Sequence, residues 1–544
     1  MTPPSPPEQE RTALVVGAGL VGTLCSAMLA SRGWTVTLLE GRTDPRHASS
    51  AERARSINLA LSPRGIEALR SVSEELTEKV LKEGIEMRGR MVHKNIVKGK
   101  GKGVERMGQD YGIVEEGEVI RSISRTQLGI ELLDHVDGLP KSGRGSVVTR
   151  FETKLIEMDM RGGEEDKVKV TLRTKGDEED KREEYDFVVG GDGAYSKVRR
   201  ELMRGPLARF DYKQFYAPHA YLELSIPPGR DNTFSIEPNY LHIWPRGEFM
   251  LIALANLDKS FTLTLFAHET TFKSLDSQYS FKAADGEYNP IIELFRKEFP
   301  DALELMGEEA LMKSWKENPK DGLITVECSP YHYKNKVLLI GDSAHAMVPF
   351  YGQGMNCGFE DVRVLSSILD HFSASPSPLI PSPLPYSSVT PPLPPSPSSS
   401  SSLSDNLTLA LSSYTTIRQP SLHAIQQLAH QNYREMASSV LSPLYLLRLS
   451  LDSLLSKLFE LKFLRRERDL TGNGIRDRGG RWESLYRMTT FRCGVAYEEV
   501  IKRREWQGKV LKGLVEGGMA SLGLGIVAAS WWKWGQGLRL VRVQ

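Results

Sequence analysis

A short apolar strand followed by a glycine-spaced turn and a helix constrains the fold of this chain most. Residues 12–16, TALVV, are typical of a buried β-strand, and glycine follows at positions 17, 19 and 22. Gly17 permits a tight turn, Gly19 lets a pyrophosphate approach the backbone, and Gly22 lets the helix pack closely on the strand. The helix N-terminus offers N–H groups and partial positive charge to an anion. The pattern predicts a dinucleotide-binding βαβ unit.

The strand predicted at residues 34–40 supports this interpretation but does not choose the dinucleotide. Glu40 ends that strand 23 residues after Gly17, where a carboxylate can accept hydrogen bonds from ribose hydroxyls. Arg42 follows closely, and a cation at this place suits the 2′-phosphate of NADP. Both FAD and NAD(P) are therefore compatible with this first motif.

Two later strand ends carry glycine and aspartate. Gly-Asp-Gly at 191–193 follows a strand predicted at 187–190, and Asp342 follows another at 337–340. Asp342 can hydrogen-bond a ribityl hydroxyl. A helix that starts near Gly354 would point backbone N–H groups at an isoalloxazine edge, where they stabilise negative charge on the reduced ring. The motif around Asp342 therefore favours FAD.

The segments between these motifs predict the rest of the architecture. Residues 63–84 are typical of one helix, and residues 161–184 of a charged hairpin tip between two strands. Alternating apolar and aromatic side chains from 212 to 268 predict antiparallel strands. The basic, glycine-spaced residues 94–106 predict a solvated hairpin, with anionic phospholipid or a phosphate-bearing cofactor as the alternative partner. Residues 407–470 predict further helices.

The predicted fold class is α/β with α+β character. It combines a Rossmann-like FAD-binding domain, an antiparallel β-sheet substrate domain interleaved with it, and a helical C-terminal region. The predicted segments are, in chain order, a disordered N-terminus at 1–11, the first part of the FAD-binding domain at 12–210 with a substrate-site segment near 88–111, a β-rich substrate domain at 211–330, the Gly-Asp motif and helix of the FAD-binding domain at 331–372, a disordered Pro/Ser-rich insertion at 373–405, a helical region at 406–512 and a membrane-associated tail at 513–544.

Charge and cysteine content exclude several classes of protein. The 544 residues carry 70 Lys+Arg and 69 Asp+Glu, a net charge of +1, which argues against nucleic-acid binding over the whole chain. The four cysteines lie far apart, so the sequence indicates neither a disulfide framework nor a zinc site, and they fit a reducing compartment. We therefore expect neither metal nor nucleic acid as a partner.

Proline and serine dominate residues 373–405. Such a segment buries too little apolar area to offset its ordering entropy, so we expect a disordered surface insertion between two helices. A PxxP ligand for a recognition domain is the alternative.

The end of the sequence resembles a membrane interface. Residues 517–532 are 16 uncharged residues, followed by Lys533, Trp534 and a basic tail. A spanning helix needs about 20 apolar residues, but tryptophan beside cations is typical of a membrane–water boundary. We expect membrane association, with a buried terminal helix as the alternative. The first residues lack the apolar run of a secretory signal.

The three glycine motifs, in this order and at this wide spacing, resemble the FAD-dependent aromatic hydroxylases, which are single-component flavin monooxygenases. Residues 55–62, 87–91, 237–245 and 359–361 add to the resemblance, which covers about 12–372 and resumes near 414–512. It implies bound FAD, NADPH and O2 as co-substrates, and hydroxylation of L-kynurenine at the ring carbon ortho to its amine, in tryptophan catabolism towards NAD synthesis. A flavin C4a-hydroperoxide would carry the chemistry, without a catalytic side chain.

The resemblance also implies site residues. Arg90, Tyr111, Asn432 and Tyr497 fall on positions that bind the substrate, where a guanidinium can hold a carboxylate bidentately. Without the family, a lone loop arginine such as Arg90 would be interpreted as a solvated charge. The positions implied for the flavin are Gly17, Gly19, Val21, Gly22, Leu39, Glu40, Gly41, Arg42, Ala60, Arg125, Leu155, Asp342, Met355 and Asn356.

Other interpretations remain open at this point. The family resemblance implies the outer mitochondrial membrane, on its cytosolic face, as the location. A hydroxylase of another aromatic acid and a non-catalytic flavin-binding interaction protein are the alternative functions. His345, close to Asp342, is interpreted as structural, with proton transfer as the alternative.

Overall fold

The computed structural model describes residues 10–47, 58–98, 101–112, 117–161, 167–205, 207, 209–282, 289–376, 395, 402–438, 442, 445, 448, 451–452, 454–456 and 482–513. Most of three predicted segments, the N-terminus 1–11, the insertion 373–405 and the tail 513–544, lies outside the described residues. Within the described part of the chain, no helix combines the length and apolarity that crossing a membrane requires.

The strands, in chain order, are β1 (Thr12–Val16), β2 (Thr35–Leu39), β3 (Asn58–Leu61), β4 (Ile85–Met87), β5 (Gly89–Lys98), β6 (Gly101–Asp110), β7 (Ile120–Ser124), β8 (Val147–Arg150), β9 (Thr153–Asp159), β10 (Val168–Thr174), β11 (Lys181–Tyr185), β12 (Phe187–Gly190), β13 (Asp211–Ile226), β14 (Tyr240–Pro245), β15 (Phe249–Ala255), β16 (Phe261–His268), β17 (Lys320–Ser329), β18 (His332–Tyr333) and β19 (Val337–Leu339).

The helices are α1 (Leu20–Ala30), α2 (Pro63–Arg70), α3 (Glu74–Lys82), α4 (Arg125–Asp137), α5 (Lys197–Arg204), α6 (Glu269–Lys282), α7 (Pro290–Glu298), α8 (Pro300–Met306), α9 (Glu308–Glu317), α10 (Asp342–His345), α11 (Gly354–His371), α12 (Leu403–Ala437) and α13 (Leu485–Phe491). Short 3₁₀ turns lie at Pro45–His47, Arg230–Asn232 and Pro349–Tyr351. Residues 497–513 are also helical.

A parallel sheet carries the glycine motifs. Its strand order is β18-β19-β12-β1-β2-β8, with β18 antiparallel to β19. Strands β1, β12 and β19 are buried runs of apolar residues, as expected where helices cover both faces of a sheet. Helix α1 packs against α4 and α11. Because the three strands are neighbours and parallel, their carboxyl ends bring the three predicted motifs to one edge of the sheet.

A second, seven-stranded sheet has the order β17-β13-β16-β15-β14-β5-β6. Its pairs are antiparallel except that β5 runs parallel to β14. The segment near 88–111 precedes the predicted substrate domain in the sequence. Its strands β5 and β6 nevertheless belong to this seven-stranded sheet, which we call the substrate sheet. The register from Gly89↔Asp110 to Lys98↔Gly101 confirms the predicted hairpin.

Helices that the sequence analysis did not predict cover one face of this second sheet. They are α6 to α9, and their buried side chains, among them Ile291, Phe295 and Trp315, form one apolar cluster with sheet residues such as Trp244 and Leu265. The predicted β-rich unit at 211–330 is thus a sheet with a helical layer.

Of two local predictions, one is wrong and one is confirmed. Residues 63–84 form two helices rather than one, because the Ser73 hydroxyl accepts a hydrogen bond from the Leu76 N–H and starts a new helix. The charged segment 161–184 holds the predicted hairpin tip, at residues 175–180 between β10 and β11, and β10 also pairs with β9 on its other side. Alternate residues of β10 bury one face of that three-stranded sheet.

Candidate active site

The glycine turn has two steric requirements and one open position. Gly17 has φ +101°, and a Cβ there would lie 2.6 Å from the carbonyl oxygen of Gly191. A Cβ on Gly22 would lie 2.0 Å from the Gly17 oxygen. At Gly19, in contrast, a Cβ would meet no atom within 4 Å. Gly17 and Gly22 are therefore required by the fold itself, whereas Gly19 leaves space in front of the start of α1.

The carboxylate of Glu40 is fixed at the end of β2. Its two oxygens accept hydrogen bonds from the backbone N–H groups of Ala18 (3.1 Å) and Arg42 (3.0 Å). Gly41 lies against the aliphatic chain of Lys154, which would be 3.1 Å from a Cβ at this glycine. The predicted cofactor residues at 39–42 are thus brought together beside the glycine turn, where Glu40 can receive a ribose.

Other predicted flavin residues lie at different depths. Leu39 and Leu155 are buried with their side chains in the apolar core. Arg125 begins α4 and is exposed. Val21 packs on the Gly341 backbone, where a Cβ would lie 3.2 Å from a Val21 methyl group.

The Gly-Asp loop after β19 turns sharply into α10. Gly341 has φ +60°, and the exposed Asp342 begins the helix. The following loop leads to α11, an 18-residue helix whose N-terminus at Gly354 has no side-chain cap. Its first N–H groups, around Met355 and Asn356, therefore have no capping side chain and suit an electron-rich ligand.

The Asn356 side chain holds two loops together. Its Nδ2 donates to the carbonyl oxygens of Ala60 and Gly352, both at 2.8 Å, and its Oδ1 accepts from the Ser62 N–H at 2.9 Å. The amide is thereby committed to protein partners, so only the backbone of Asn356 is left to meet a ligand. Ala60 is positioned at the same time.

The Gly-Asp-Gly loop after β12 uses its aspartate internally. Asp192 accepts hydrogen bonds from the backbone N–H groups of Lys197 and Val198 and from the Ser196 hydroxyl, which fixes the start of α5. Burial raises the pKa of this carboxyl, against these hydrogen bonds. Arg199 then donates to the carbonyl oxygens of Ala194 and Ser343, each at 2.6 Å, and joins this loop to the Gly-Asp loop.

His345 lies behind the Gly-Asp loop and is fully buried. Its Nε2 lies 2.5 Å from Asp361, which also accepts from the Gly341 N–H and from Arg418. Burial would raise the pKa of Asp361, but His345 and Arg418 lower it below its ordinary value. The contacts favour the structural interpretation of His345 over proton transfer.

Glu360, next to Asp361 on α11, is the centre of a buried charge network. Arg64 of α2 and Arg418 of α12 donate to its two oxygens at 2.8 and 3.0 Å. Burial opposes ionisation, yet these arginines lower the pKa of Glu360 to about 2. The network ties helix α12 to helices α2 and α11. Sequence reasoning missed it because its members lie far apart in the chain.

The second candidate subsite surrounds Arg90. This side chain is only 8 % exposed, and its Nε donates to Gln109, its cross-strand neighbour, at 2.8 Å. Its Nη2 donates to the hydroxyl of Tyr445, which in turn donates to Glu435 at 2.7 Å. Its Nη1 makes no hydrogen bond to any residue that the structure describes. Arg90 is thus a buried guanidinium with donor capacity to spare, not a solvated surface charge.

Aromatic side chains form one wall of this subsite. The ring of Tyr111 stacks on Tyr486 with centroids 4.6 Å apart, and Tyr351 stacks on the same ring at 5.8 Å. The Tyr111 hydroxyl is buried and makes no hydrogen bond of good geometry to a described residue, although the Tyr486 hydroxyl lies close to it. Burial raises its pKa, so it stays a neutral donor. A buried phenol beside an arginine suits a carboxylate ligand.

The other two predicted substrate residues, Asn432 and Tyr497, have different surroundings. Asn432 donates to the Phe350 carbonyl oxygen at 2.8 Å and lies three residues before Glu435 on α12. Tyr497 is fully buried beneath the Arg64 guanidinium, 4.2 Å from its ring centre, and contacts Gln353 and Cys357. No described contact links Tyr497 to Arg90.

Sequence reasoning missed Gln109, Glu435, Tyr445 and Tyr486. The hairpin register would have placed Gln109 opposite Arg90, because paired positions on two strands share a face. Tyr445 and Tyr486 come from the C-terminal region, and no local pattern in the sequence connects them with the site.

Known proteins match the chain in sequence and in fold. A family described as FAD binding domain matches residues 10–207 and 300–374. Kynurenine 3-monooxygenase of Cryptococcus neoformans (strain B-3501A) is 38% identical over 545 residues, 96% of this chain and 98% of the relative. The enzyme of the same name from Candida albicans is 37% identical over 526 residues, 96% of each chain. That of Sus scrofa is 35% identical over 507 residues, 92% and 88% of the two chains.

Solved structures share the fold at low sequence identity. The tetrameric form of 2-methyl-3-hydroxypyridine-5-carboxylic acid oxygenase has a TM-score of 0.53 and 20% identity over 80% of this chain and 95% of its own. PqsL of Pseudomonas aeruginosa, in complex with 2-aminobenzoylacetate, has a TM-score of 0.54 and 18% identity over 79% and 97%. These matches and the mixed α/β architecture confirm the predicted fold class. With relatives this similar over nearly its whole length, the chain belongs to the kynurenine 3-monooxygenase family, within the FAD-dependent monooxygenases.

Proposed function

We propose that this chain is an FAD-dependent monooxygenase that uses NADPH and O2 to hydroxylate L-kynurenine to 3-hydroxy-L-kynurenine. The observation that carries the proposal is the 38% identity over 96% of the chain to a kynurenine 3-monooxygenase. The buried guanidinium of Arg90, with its Nη1 unused among the described residues, lies beside the buried Tyr111 hydroxyl and supports it. Both groups fit the carboxylate of an aromatic amino acid.

The residues present fit FAD. The open space at Gly19 would admit a pyrophosphate to the start of α1. Glu40, at the end of β2, would accept from a ribose, and the exposed Asp342 from the ribityl chain. The uncapped N-terminus of α11 would offer backbone donors to the flavin ring. When bound, FAD supplies the hydride acceptance and oxygen activation that amino-acid side chains cannot.

The protein's own part in the reaction is binding, orientation and exclusion of water. Arg90 and Tyr111 would hold the substrate carboxylate, since a guanidinium and a phenol donate directed, charge-assisted hydrogen bonds. The stacked rings of Tyr486 and Tyr351 form an apolar wall against which an aniline ring can pack. Fixing the ring at one distance and angle lowers the entropic part of the barrier.

The decisive experiment identifies the product. Purified chain should be yellow, oxidise NADPH faster with L-kynurenine than without it, and form 3-hydroxykynurenine that mass spectrometry identifies. Anthranilate and benzoate serve as matched ring controls. A colourless, flavin-free protein, or stimulation by another aromatic acid but not by kynurenine, would contradict the proposal.

We also propose that the chain associates with the outer mitochondrial membrane, on its cytosolic face, through residues 513–544. The support is the uncharged run at 517–532 with its tryptophans and following cations, a composition that favours the membrane–water interface. Protease protection tests the orientation: in intact mitochondria, an epitope on the folded part of the chain should be digested. An epitope protected until the outer membrane is broken would contradict the cytosolic face.

A further inference from the structure

A chain of buried polar side chains crosses the substrate sheet beside the strand that carries Arg90. His93 of β5 and His242 of β14 are both fully buried. The Nδ1 of His93 lies 2.7 Å from Asp301, at the start of α8, and its Nε2 lies 2.9 Å from the Nδ1 of His242. The Nε2 of His242 lies 2.7 Å from the Glu237 carbonyl oxygen. The mechanism described above uses none of these groups.

The groups at the two ends of this hydrogen-bonded series, the Glu237 carbonyl oxygen and the Asp301 carboxylate, limit where its protons can lie. The Glu237 carbonyl oxygen can only accept, so His242 donates from Nε2. The Asp301 carboxylate accepts from His93 Nδ1 and from the Trp244 indole, which is 2.9 Å away. A third ring proton, between the two imidazoles, would complete the hydrogen bonding across this 2.9 Å contact. It would give the pair one positive charge, which the Asp301 carboxylate would balance.

The surrounding charges act on this proton in both directions. Burial lowers the pKa of His93 and lowers that of His242 to about 4, and the exposed Arg106 adds to this effect. Asp301 and Glu237 raise the pKa of His93. Both histidine pKa values are thus lowered overall, which opposes the extra proton. The short contact between the two rings favours it, because a neutral pair beside an ionised Asp301 leaves one of the three contacts without a proton. The pKa of Asp301 is lowered below its ordinary value, against its burial, by His93 and Trp244.

His93, His242 and Asp301, which we call the relay, lie close to Arg90 in the strand register. His93 follows Arg90 by three residues on β5, and β14 pairs alongside with Leu241↔Arg90 and His242↔Met91. The His93 ring also stacks on Trp244 with centroids 4.0 Å apart. Pairing with β14 and β6, together with the side-chain contacts of His93 to His242 and Asp301, thus fixes β5 within a few residues of the guanidinium.

Arg246 adds a backbone tie at the same point. Its Nη1 donates to the His93 carbonyl oxygen at 2.9 Å, and its Nε donates to the Glu298 carbonyl oxygen at 2.6 Å. Burial lowers the pKa of this guanidinium, while Asp301 and Glu298 raise it. The helical layer and β5 are therefore joined at His93 by both its ring and its backbone.

We propose that His93, His242 and Asp301 are positioning residues, a singly protonated relay that locks β5 against β14 and α8 and so holds Arg90 in the geometry that binds the substrate carboxylate. This inference rests on the proposed function, because it gives Arg90 the role of carboxylate ligand. The relay touches neither substrate nor flavin and acts through Arg90.

The test compares Asp301→Asn and His242→Gln with a matched control, His47→Gln, an exposed histidine in a 3₁₀ turn outside the substrate sheet. We expect the two relay variants to raise the KM for kynurenine about tenfold, because small misplacements of a positioning group have effects of this order or larger. The kcat should stay within about twofold and the bound FAD should be unchanged, since neither group touches the flavin. The control variant should match wild type.

A double-mutant cycle with Arg90→Ala separates positioning from general damage. If the relay acts through Arg90, Asp301→Asn should add no further increase in KM once Arg90 is gone. Additive effects, or kcat and FAD content falling together with the rise in KM, would overturn the inference. If Arg90→Ala itself leaves KM unchanged, the failure lies with the proposed role of Arg90.

Imidazole ¹⁵N spectroscopy on the full-length protein gives a second readout that does not depend on activity. The signals that vanish in His93→Asn and His242→Gln should together report three ring protons in wild type at neutral pH. Two ring protons would overturn the relay. This measurement tests the protonation of His93 and His242 even if Asp301→Asn fails to fold.

Discussion

The three glycines in the first turn differ in how much space an added Cβ would find. Gly17 and Gly22 are confined by backbone oxygens at 2.6 and 2.0 Å from an added Cβ, whereas Gly19 faces open space. The same residue type therefore serves the fold at two positions and leaves room for a ligand at the third. The sequence motif alone does not separate these roles.

This difference predicts opposite outcomes for two alanine variants. Gly19→Ala should leave the melting temperature of the apoprotein unchanged, because its Cβ meets nothing and its φ of −71° suits alanine. Its affinity for FAD should fall by about tenfold or more, roughly 1.4 kcal/mol, since the methyl group obstructs the pyrophosphate. Gly22→Ala should instead destabilise the apoprotein itself. Calorimetry and flavin titration measure the two effects, and an unchanged FAD affinity in Gly19→Ala would contradict the assignment.

Arg90 has a prediction at the same scale. Arg90→Ala should raise the KM for kynurenine roughly 30-fold, or about 2 kcal/mol, because a buried charge-assisted contact is lost. Arg90→Lys should recover only part of this loss, since an ammonium lacks the planar fork of donors. Steady-state kinetics and flavin absorbance measure both variants. Loss of flavin with an unchanged KM would move Arg90 to the cofactor site.

At the scale of elements, Glu360 joins three helices that are remote in sequence. It lies on α11 and pairs with Arg64 of α2 and Arg418 of α12, all of them buried. Removing one partner of a buried ion pair leaves an uncompensated charge, which costs about 3–5 kcal/mol. We therefore expect Glu360→Gln to lower the free energy of unfolding by that order in denaturant titrations. Glu78→Gln, on the surface of α3, is the control.

The lowered pKa of Glu360 predicts a pH dependence with a definite sign. Its folded pKa of about 2 lies below the ordinary value of 4.5, so the ionised form stabilises the fold above pH 4.5. That stabilisation, about 3 kcal/mol by linkage, is lost as the pH falls from about 4.5 towards 2. The stability difference between wild type and Glu360→Gln should shrink over the same window. A difference that stays constant with pH would contradict the ionised, paired state.

At the scale of the whole molecule, the chain alternates between the two sheets. The chain leaves the parallel sheet after β2, contributes β5 and β6 to the substrate sheet, and returns for β8 and β12. Helix α12 then connects the two, through Arg418 on the flavin side and Glu435 beside Arg90. The C-terminal region is therefore part of the site, not an appendage to it.

The tail prediction belongs to this scale. A chain that ends at residue 512 should move from the membrane fraction to the supernatant, because it lacks the uncharged run and the cations that follow it. Activity should persist, since the described contacts around Arg90 and Glu360 come from residues before 513. Fractionation and kinetics of the truncated chain measure both. A truncated chain that stays in the membrane fraction would exclude the tail as the anchor.

The sequence by itself determined the parallel sheet and the three loops at its edge. Those features depend on local chemistry: apolar runs such as residues 12–16, positive φ at Gly17 and Gly341, and an aspartate at a strand end. Spacing along the chain carries that information, so the motifs could be located without coordinates. The family resemblance also identified Arg90 and Tyr111 as candidate site residues, although no periodic pattern in the sequence distinguishes them.

Only the tertiary structure decided which distant residues meet. Tyr445 and Tyr486 join Arg90 and Tyr111 from the far end of the chain, Glu360 finds Arg64 and Arg418, and His93 finds Asp301. Each of these contacts results from packing between elements separated by tens to hundreds of residues. Such packing depends on the shape and burial of the whole assembly, which no local pattern of residue types records.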